Sequence, residues 1–459
     1  MEKSGTGYHI NLTNLRSLIL VFFLIFIFSS SLKAQKKERQ EISGMFTTRY
    51  MQTANEGDLQ DFSIVASWAK INVTQRFTDW LSIKSGVVGL LNYGTTSIER
   101  RDLATGFGPI YEGNIWNQGL MEGSIATSLP ELHLDFEFGN HLFQIGRFLQ
   151  NTPAINAEPW PLPNALEGVW YKYQKDSGIK LQVGLIDRIA PRFGENFFDI
   201  GASIGTAAIG LGIDGLPSQY RNNVSANYMT MLNLAVPIKK SMTLEFWNYQ
   251  VEEVSNTFLV ESKFNLNSDK DLKLSVMFIR QDRLSNGGND DASLRYFTDS
   301  ESNAIGFSLA KSVQQNEFSL NFTRIGDQGR LLLPRDWGVE PLYTFQRRHR
   351  VEGMRDLTAV MLKWQTNIEE EGHDFKVFSS IANTWARSPT HPEDNKYQLP
   401  SNINWDVSVT FTPKKKLNGL SAELFMAYRF LTDKDSDLPI YKINRANFFH
   451  SDLIVSYVF

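Results

Sequence analysis

The chain has 459 residues, of which 42% are hydrophobic and 21% charged; its formal net charge is −4 and it contains no cysteine. Without cysteine there can be no disulfide, thiolate metal site, cysteine nucleophile or lipidated N-terminal cysteine, and the near-neutral charge gives no support to a nucleic-acid partner. Mean hydropathy is −0.27, and after residue 28 no apolar run approaches the roughly 20 residues of a spanning helix, which excludes a bundle of membrane helices.

Residues 1–34 read as an export signal. Arg16 precedes an unbroken apolar run from Leu18 to Phe28, then Ser29, Ser30 and Ser31, with Ala34 offering a small residue for cleavage. The run is short for a transmembrane helix, although an uncleaved anchor is the alternative. The removed segment carries Lys3, Arg16 and Lys33 against Glu2, so the mature chain 35–459 has a net charge of −6 in place of −4.

Beyond Gln35 the recurring signal is a period of two. Leu132, Leu134, Phe136 and Phe138 alternate with His133, Asp135 and Glu137; Ile403, Trp405, Val407, Val409 and Phe411 alternate with polar residues; Phe449, Leu453, Val455, Tyr457 and Phe459 share one parity. Segments of about ten residues with one apolar and one polar face are expected of strands in a lipid-facing barrel wall. In chain order the pattern predicts eighteen strands, at 42–52, 62–77, 80–92, 131–138, 141–148, 167–175, 178–187, 224–238, 241–250, 257–267, 271–281, 302–313, 316–325, 353–368, 373–385, 402–412, 418–431 and 444–458.

The connections alternate in kind. Eight are tight and carry turn residues, such as Thr78-Asp79, Gly139-Asn140, Asp176-Ser177 and Glu371-Gly372. The nine between them are mostly long and rich in Gly, Pro, Asn and Asp. This asymmetry predicts an all-β fold, a transmembrane antiparallel β-barrel of about 18 strands with short periplasmic turns and long extracellular loops. Hydrocarbon offers no partner to a backbone N–H or C=O, so a spanning sheet must close on itself. A soluble sandwich or propeller also alternates, but has less use for 32 Phe, 15 Tyr and 10 Trp, which interfacial girdles employ.

Two loops carry a resemblance. Ile145-Gly146-Arg147, Thr152-Pro153 and Pro161-Leu162-Pro163-Asn164-Ala165-Leu166-Glu167-Gly168-Val169 resemble the segment around the third loop of OprD-type porins. The stretch Leu333 to Phe345, LPRDWGVEPLYTF, is similar to that family's seventh loop. The resemblance implies an eighteen-stranded outer-membrane channel of a Gram-negative bacterium, with a third loop folded into the pore and a seventh that narrows it. Pore loops are therefore expected near 149–166 and 326–352. It also implies a row of basic side chains guiding carboxylate-bearing solutes such as amino acids and organic acids. Phe459, with Tyr457 and Val455 in register, is similar to the signal read by the barrel assembly machinery. In 149–166, Pro153, Pro159, Pro161 and Pro163 would stiffen an inward-folded loop; a rigid exposed loop is the alternative.

Strand parity nominates the channel-lining bases Arg49, Lys84, Lys172, Lys180, Arg188, Lys263, Lys273 and Arg429. The same parity places Asp135, Glu137, Glu245, Glu261, Asp406, Glu423 and Asp452 inside, so anion preference would require the two signs to be segregated. Pore-loop candidates are Arg147, Pro153, Glu167, Arg335, Asp336, Arg347 and Arg348, within a basic stretch that also holds Arg330, Arg350 and Arg355. Three arginines, Arg147, Arg280 and Arg324, share parity with lipid-facing residues. At the bilayer midplane each would cost about 2–4 kcal/mol, falling toward zero at the interface, which places them at the outer rim against lipopolysaccharide phosphates unless a bulge turns them inward.

Gly201-Ala202-Ser203-Ile204-Gly205 matches a nucleophile-elbow pattern without the strand–helix context that chemistry needs. His133, Asp135 and Glu137 could share a cation, but polar lining is the simpler use; no metal or cofactor is expected. The reading is a passive, substrate-selective porin, a monomer or a homotrimer in the lipid bilayer, with small-molecule solutes as partners. A barrel enzyme using a serine near His133, His141 or His450, and a plugged barrel acting as an adhesin or scaffold, are the alternatives.

Overall fold

The computed structural model describes residues 39–459 apart from 94–97, 117–122, 158–159, 207–209 and 434–435. The expected export signal over 1–34 and Pro159 lie outside the described residues.

Within Ile42–Phe459 the chain forms strands β1 (Gln40–Asn55), β2 (Phe62–Arg76), β3 (Leu81–Asn92), β4 (Ile125–Phe138), β5 (His141–Phe148), β6 (Ala165–Gln174), β7 (Lys180–Ala190), β8 (Phe198–Asp199), β9 (Met229–Lys239), β10 (Met242–Val251), β11 (Ser255–Asn265), β12 (Leu272–Arg283), β13 (Glu301–Val313), β14 (Asn316–Ile325), β15 (Leu357–Glu369), β16 (His373–Trp385), β17 (Asn402–Pro413), β18 (Leu420–Leu431) and β19 (Phe448–Val458). Eighteen of these build the wall. The other, β8, is a two-residue strand laid on Arg188 and Ile189 of β7. Wall strands pair antiparallel with their chain neighbours, β7 pairs with β9, and β19 pairs with β1, so the sheet closes without a free edge. Closure satisfies every row of backbone groups that hydrocarbon could not.

Cross-strand register sets exposed apolar side chains in rows around the outside. Leu134, Ile145, Val169 and Leu185 are consecutive partners across β4–β7. Leu309, Leu320, Leu362, Ile381 and Trp405 continue the belt across β13–β17. A continuous apolar surface of this extent is stable only against an apolar solvent. Aromatic rings edge the belt at the tight-turn end: Trp80 stacks on Phe138 at 5.6 Å, and Tyr457 on Phe459 at 6.3 Å. At the closing seam Gly44 and Phe459 exchange backbone hydrogen bonds of 2.9 and 3.0 Å, and a Cβ on residue 44 would fall 2.3 Å from the Phe459 ring.

The inner face is not polar along its whole height, contrary to simple alternation. Toward the tight turns it carries charged residues. Toward the loops it carries buried Met51, Ile64, Val88, Trp170, Trp247 and Leu259, which pack against loop side chains in two separate clusters. Strand ends differ from expectation for the same reason. Residues 224–228, 353–356 and 444–447 bond to loops, with Ser225 N–H on Gly288 O, Gly353 N–H on Leu331 O and Asn444 Nδ2 on Gly108 O, so the wall strands begin later. Conversely β4 begins at Ile125 rather than 131, because a bulge between Gly86 and Val88 of β3 shifts the register and breaks the alternation there.

Candidate pore constriction

Two loops cross the interior. In 149–164, Ala154 N–H reaches the hydroxyl of Tyr249 on β10 at 3.4 Å, four wall strands from where the loop leaves β5. Ile155 packs in one apolar cluster and Leu162 in the other. Loop 326–356 joins β14 to β15, yet it touches the inner wall from β11 to β19. Tyr343 donates to Glu261 Oε1 at 2.7 Å, Thr344 to Thr323 at 2.9 Å, Gln346 Nε2 to Ser380 Oγ at 2.9 Å, and Arg348 Nε to His450 Nε2 at 2.8 Å.

The two loops are bonded to each other through Asn156. Its backbone N–H donates to Trp337 O (3.1 Å), its Nδ2 to Val339 O (3.2 Å), and its Oδ1 accepts from Val339 N–H (3.1 Å). Between them Gly338 has φ +152°, and a Cβ there would lie 2.8 Å from Asn156 N, so only glycine fits. Loop 191–228 completes the lock. Asp336 accepts from Gly205 N–H (3.0 Å) and Thr206 Oγ1 (2.7 Å), while its carbonyl accepts from Arg192 N–H (2.9 Å). Ser203 Oγ donates to Ile200 O at 2.7 Å and accepts from Trp337 Nε1 at 2.9 Å. Neither bond involves a histidine, and the serine is wholly buried.

Two of the loop arginines, Arg335 and Arg350, are held by carboxylates from the same loop. Arg335 pairs with Glu352 and lies over the Tyr397 ring at 3.5 Å. Burial opposes the Glu352 charge, but Arg335, Arg350 and Lys396 hold its carboxyl below the usual range. Arg350 meets Glu340 at 3.2 Å, and Glu340 also accepts the N–H of Val351 at 2.6 Å. Arg192 lies over the Trp160 ring at 4.9 Å; burial, with Arg350 nearby, pulls its guanidinium well down. Pro153, half-buried, precedes the Ala154 contact with Tyr249.

A second arginine group gathers where Arg347 and Arg348 meet β1, β18 and β19. Arg49 reaches Asp452 at 2.5 Å, and Arg348 binds the same carboxylate. Arg429 donates to Asn404 Oδ1 (3.2 Å), Arg445 O (2.8 Å) and Arg348 O. Of this group Arg49, Arg348 and Arg429 are buried, whereas Arg347 keeps 38% of its side chain exposed above Glu423, 2.6 Å away. Parity placed Arg49 and Arg429 inside the barrel, but Arg49 is spent on Asp452 of the neighbouring wall strand and Arg429 on the loop carbonyl of Arg348, rather than on facing water.

The inward lysines lie nearer the tight turns. Lys84 pairs with Asp135 at 2.7 Å, and Asp135 also accepts from Gln144 (2.9 Å), which in turn accepts from Gln150 at the start of the third-loop segment (2.9 Å). Lys263 pairs with Glu261 at 2.9 Å. Lys172, Lys180 and Lys273 share the inward parity of Trp170, Gln182 and Met277, and among the described residues they have no ion-pair partner. Acids and bases are thus interleaved on the same walls rather than segregated. Among the described residues no three His, Asp or Glu side chains are grouped to hold a metal ion.

Three nominated residues face outward instead. Arg147 stands opposite exposed Leu132 and bonds Glu167 at 2.7 Å, so both lie on the outer rim and not in the pore. Arg188 was expected inside. A bulge between Glu167 and Gly168 pairs Arg188 with Glu167 and Gly168 with Ile186, so Arg188 turns outward to within 3.9 Å of Glu167 and 3.7 Å of Asp199. Gly168 has φ +155° against Leu185 O. Glu112, Arg192, Glu340, Glu352 and Lys396, all buried at the loop junctions, were not nominated by parity because they lie off the strands.

No family profile and no curated protein matches the chain. Solved structures do. OpdK of Pseudomonas aeruginosa, crystallised with vanillate, superposes with a TM-score of 0.66 at 11% identity over 92% of this chain and 98% of its own. OccAB3 of Acinetobacter baumannii gives 0.68 at 10% identity over 92% and 99%, and OccAB2 of the same species 0.67 at 12% over 91% and 98%. The chain has the OprD-type porin fold. In that fold the eighteen-strand count and closed antiparallel wall are as expected from turn spacing.

Proposed function

We propose that this OprD-like barrel is an outer-membrane porin of a Gram-negative bacterium, a passive diffusion channel for small carboxylate-bearing solutes. The observation that carries the reading is a barrel with an apolar exterior whose interior is crossed by loops 149–164 and 326–356. These loops narrow the passage while leaving Arg347 and the inward lysines 172, 180 and 273 facing water. No ion pair holds those three lysines among the described residues, so they are the inward bases open to a solute carboxylate, although Glu245 lies in the row of Lys180 one strand beyond Ala235. Carboxylates would be favoured because each such lysine replaces part of the hydration a negatively charged solute gives up. The similar fold of OpdK, crystallised with the carboxylate vanillate, supports the solute class. No chemical step is involved: the barrier lowered is that of moving a charged solute through hydrocarbon.

The test is reconstitution of the full chain in a planar bilayer with a salt gradient across it. Discrete conductance with a reversal potential of anion-selective sign is expected. Cation selectivity would remove the lysine argument, and absence of conductance would favour a plugged barrel acting as a scaffold.

A further inference from the structure

Among the described residues three arginine clusters stand on the outer rim, and their charge balance differs. Arg280 faces two carboxylates, Asp282 at 2.7 Å and Glu301, leaving an excess of negative charge. Arg147 and Arg188 are balanced by Glu167 and Asp199. Arg324 and Arg387 share the single carboxylate of Asp356, one oxygen each, which leaves one positive charge uncompensated.

We propose that Arg324 and Arg387, held side by side by Asp356, bind the phosphate headgroup of an anionic lipid in the leaflet on the loop side, the leaflet that carries lipopolysaccharide. The inference rests on the outer-membrane reading above but not on ion selectivity. The site stands at the upper margin of the apolar belt. Arg324 continues the outward series Phe318, Leu320 and Phe322 on β14, and its register partner on β15 is Thr358, whose partner on β16 is Trp385. Trp385 is exposed, as expected of an aromatic ring at the headgroup level. An arginine in the same row as such a ring, with Arg387 two residues beyond it, avoids the cost of the hydrocarbon and meets the phosphates.

The two cations are positioned rather than merely adjacent. Asp356 adopts φ +51°, a conformation that L residues other than Asn and Asp rarely enter, and its N–H is fixed on Gly326 O at 2.8 Å. Arg324 Nη1 is braced on Thr358 Oγ1 at 3.2 Å. The backbone of Arg387 is braced through its carbonyl, which accepts from Asn395 Nδ2 at 3.0 Å. With one nitrogen of each guanidinium on Asp356, the remaining edges stay accessible, at 39% side-chain exposure for Arg324 and 57% for Arg387. Two forked donors with a net positive charge suit a phosphate, whose oxygens accept several charge-assisted hydrogen bonds.

The experiment measures retention of diphosphorylated lipid A by the full chain in detergent, using native mass spectrometry, with phosphatidylcholine and inorganic phosphate as the other probes. Wild type is expected to retain lipid A over phosphatidylcholine. The double variant Arg324→Gln/Arg387→Gln should lose about tenfold in affinity, while Arg280→Gln should lose none. The single variant Arg387→Gln, on an exposed loop position, keeps the test valid if the double variant does not fold, and should show a smaller loss in the same direction. Equal retention by all variants, equal loss in Arg280→Gln, or complete displacement of lipid A by inorganic phosphate would overturn the site. Bilayer conductance of the Arg387→Gln protein should equal that of wild type. Lipid binding without conductance in wild type would therefore count against the channel and leave this site standing.

Discussion

Arg348 and Asp452, 104 residues apart, form a buried ion pair that ties the long loop 326–356 to the wall strand β19. Asp452 holds Arg49 at the same time, and His450 lies against both partners, with Nε2 accepting from Arg348 Nε and Nδ1 2.8 Å from Thr53 Oγ1. Thr53 donates onward to Glu112 at 2.6 Å. Two cations on one anion within a buried network leave no slack, because removing the anion strands both charges.

Asp452→Asn should therefore release the loop. Breaking a buried pair by deleting one partner costs about 3–5 kcal/mol, here divided between loop detachment and wall stability. Single-channel recordings should show new rapid fluctuations, with the unfolding temperature in detergent lowered. A quiet channel of wild-type conductance would mean the loop is held elsewhere, by Asn156 above all.

Charge reversal of the unpaired wall lysines should change selectivity without changing assembly. Lys172→Glu/Lys180→Glu alters side chains that have no ion-pair partner among the described residues, so no ion pair is broken. The expected outcome is a reversal potential moved toward cation preference, larger at low salt where screening is weak. The same change at Arg429 would confound the test, because Arg429 anchors the Arg348 carbonyl.

Glu112 supplies a pH dependence. Burial pushes its carboxyl up to about 7, against the lowering effect of the Thr53 hydrogen bond, and its Oε2 has no hydrogen-bond partner among the described residues. The folded state thus holds a proton that the unfolded chain releases near 4.5. Between those two values the folded state binds more protons, so its stability declines as pH rises through the interval and levels off above 7. Hydrogen exchange of residues 98–116 should quicken from pH 5 to pH 8 beyond its intrinsic rate. Glu112→Gln should flatten that trend, and an unchanged slope in the variant would assign the dependence to another group.

The number of strands, the outward parity of Leu134, Ile145 and Leu320, and the rim position of Arg280 and Arg324 were all legible in the sequence, whereas Arg147 read both as rim and as pore loop. They follow from a local rule, since a strand must alternate and lipid rewards only one face. The fate of the nominated bases was not legible. Arg188 faces out because one bulge at Glu167/Gly168 reverses parity beyond it. Arg49 and Arg429 are inside yet dry because Arg348 of loop 326–356 comes down between them, sharing Asp452 with Arg49 and offering its carbonyl to Arg429. Periodicity reports which face a side chain takes on its own strand. Whether water or another loop meets it there depends on contacts between segments hundreds of residues apart, and these only the closed barrel brings together.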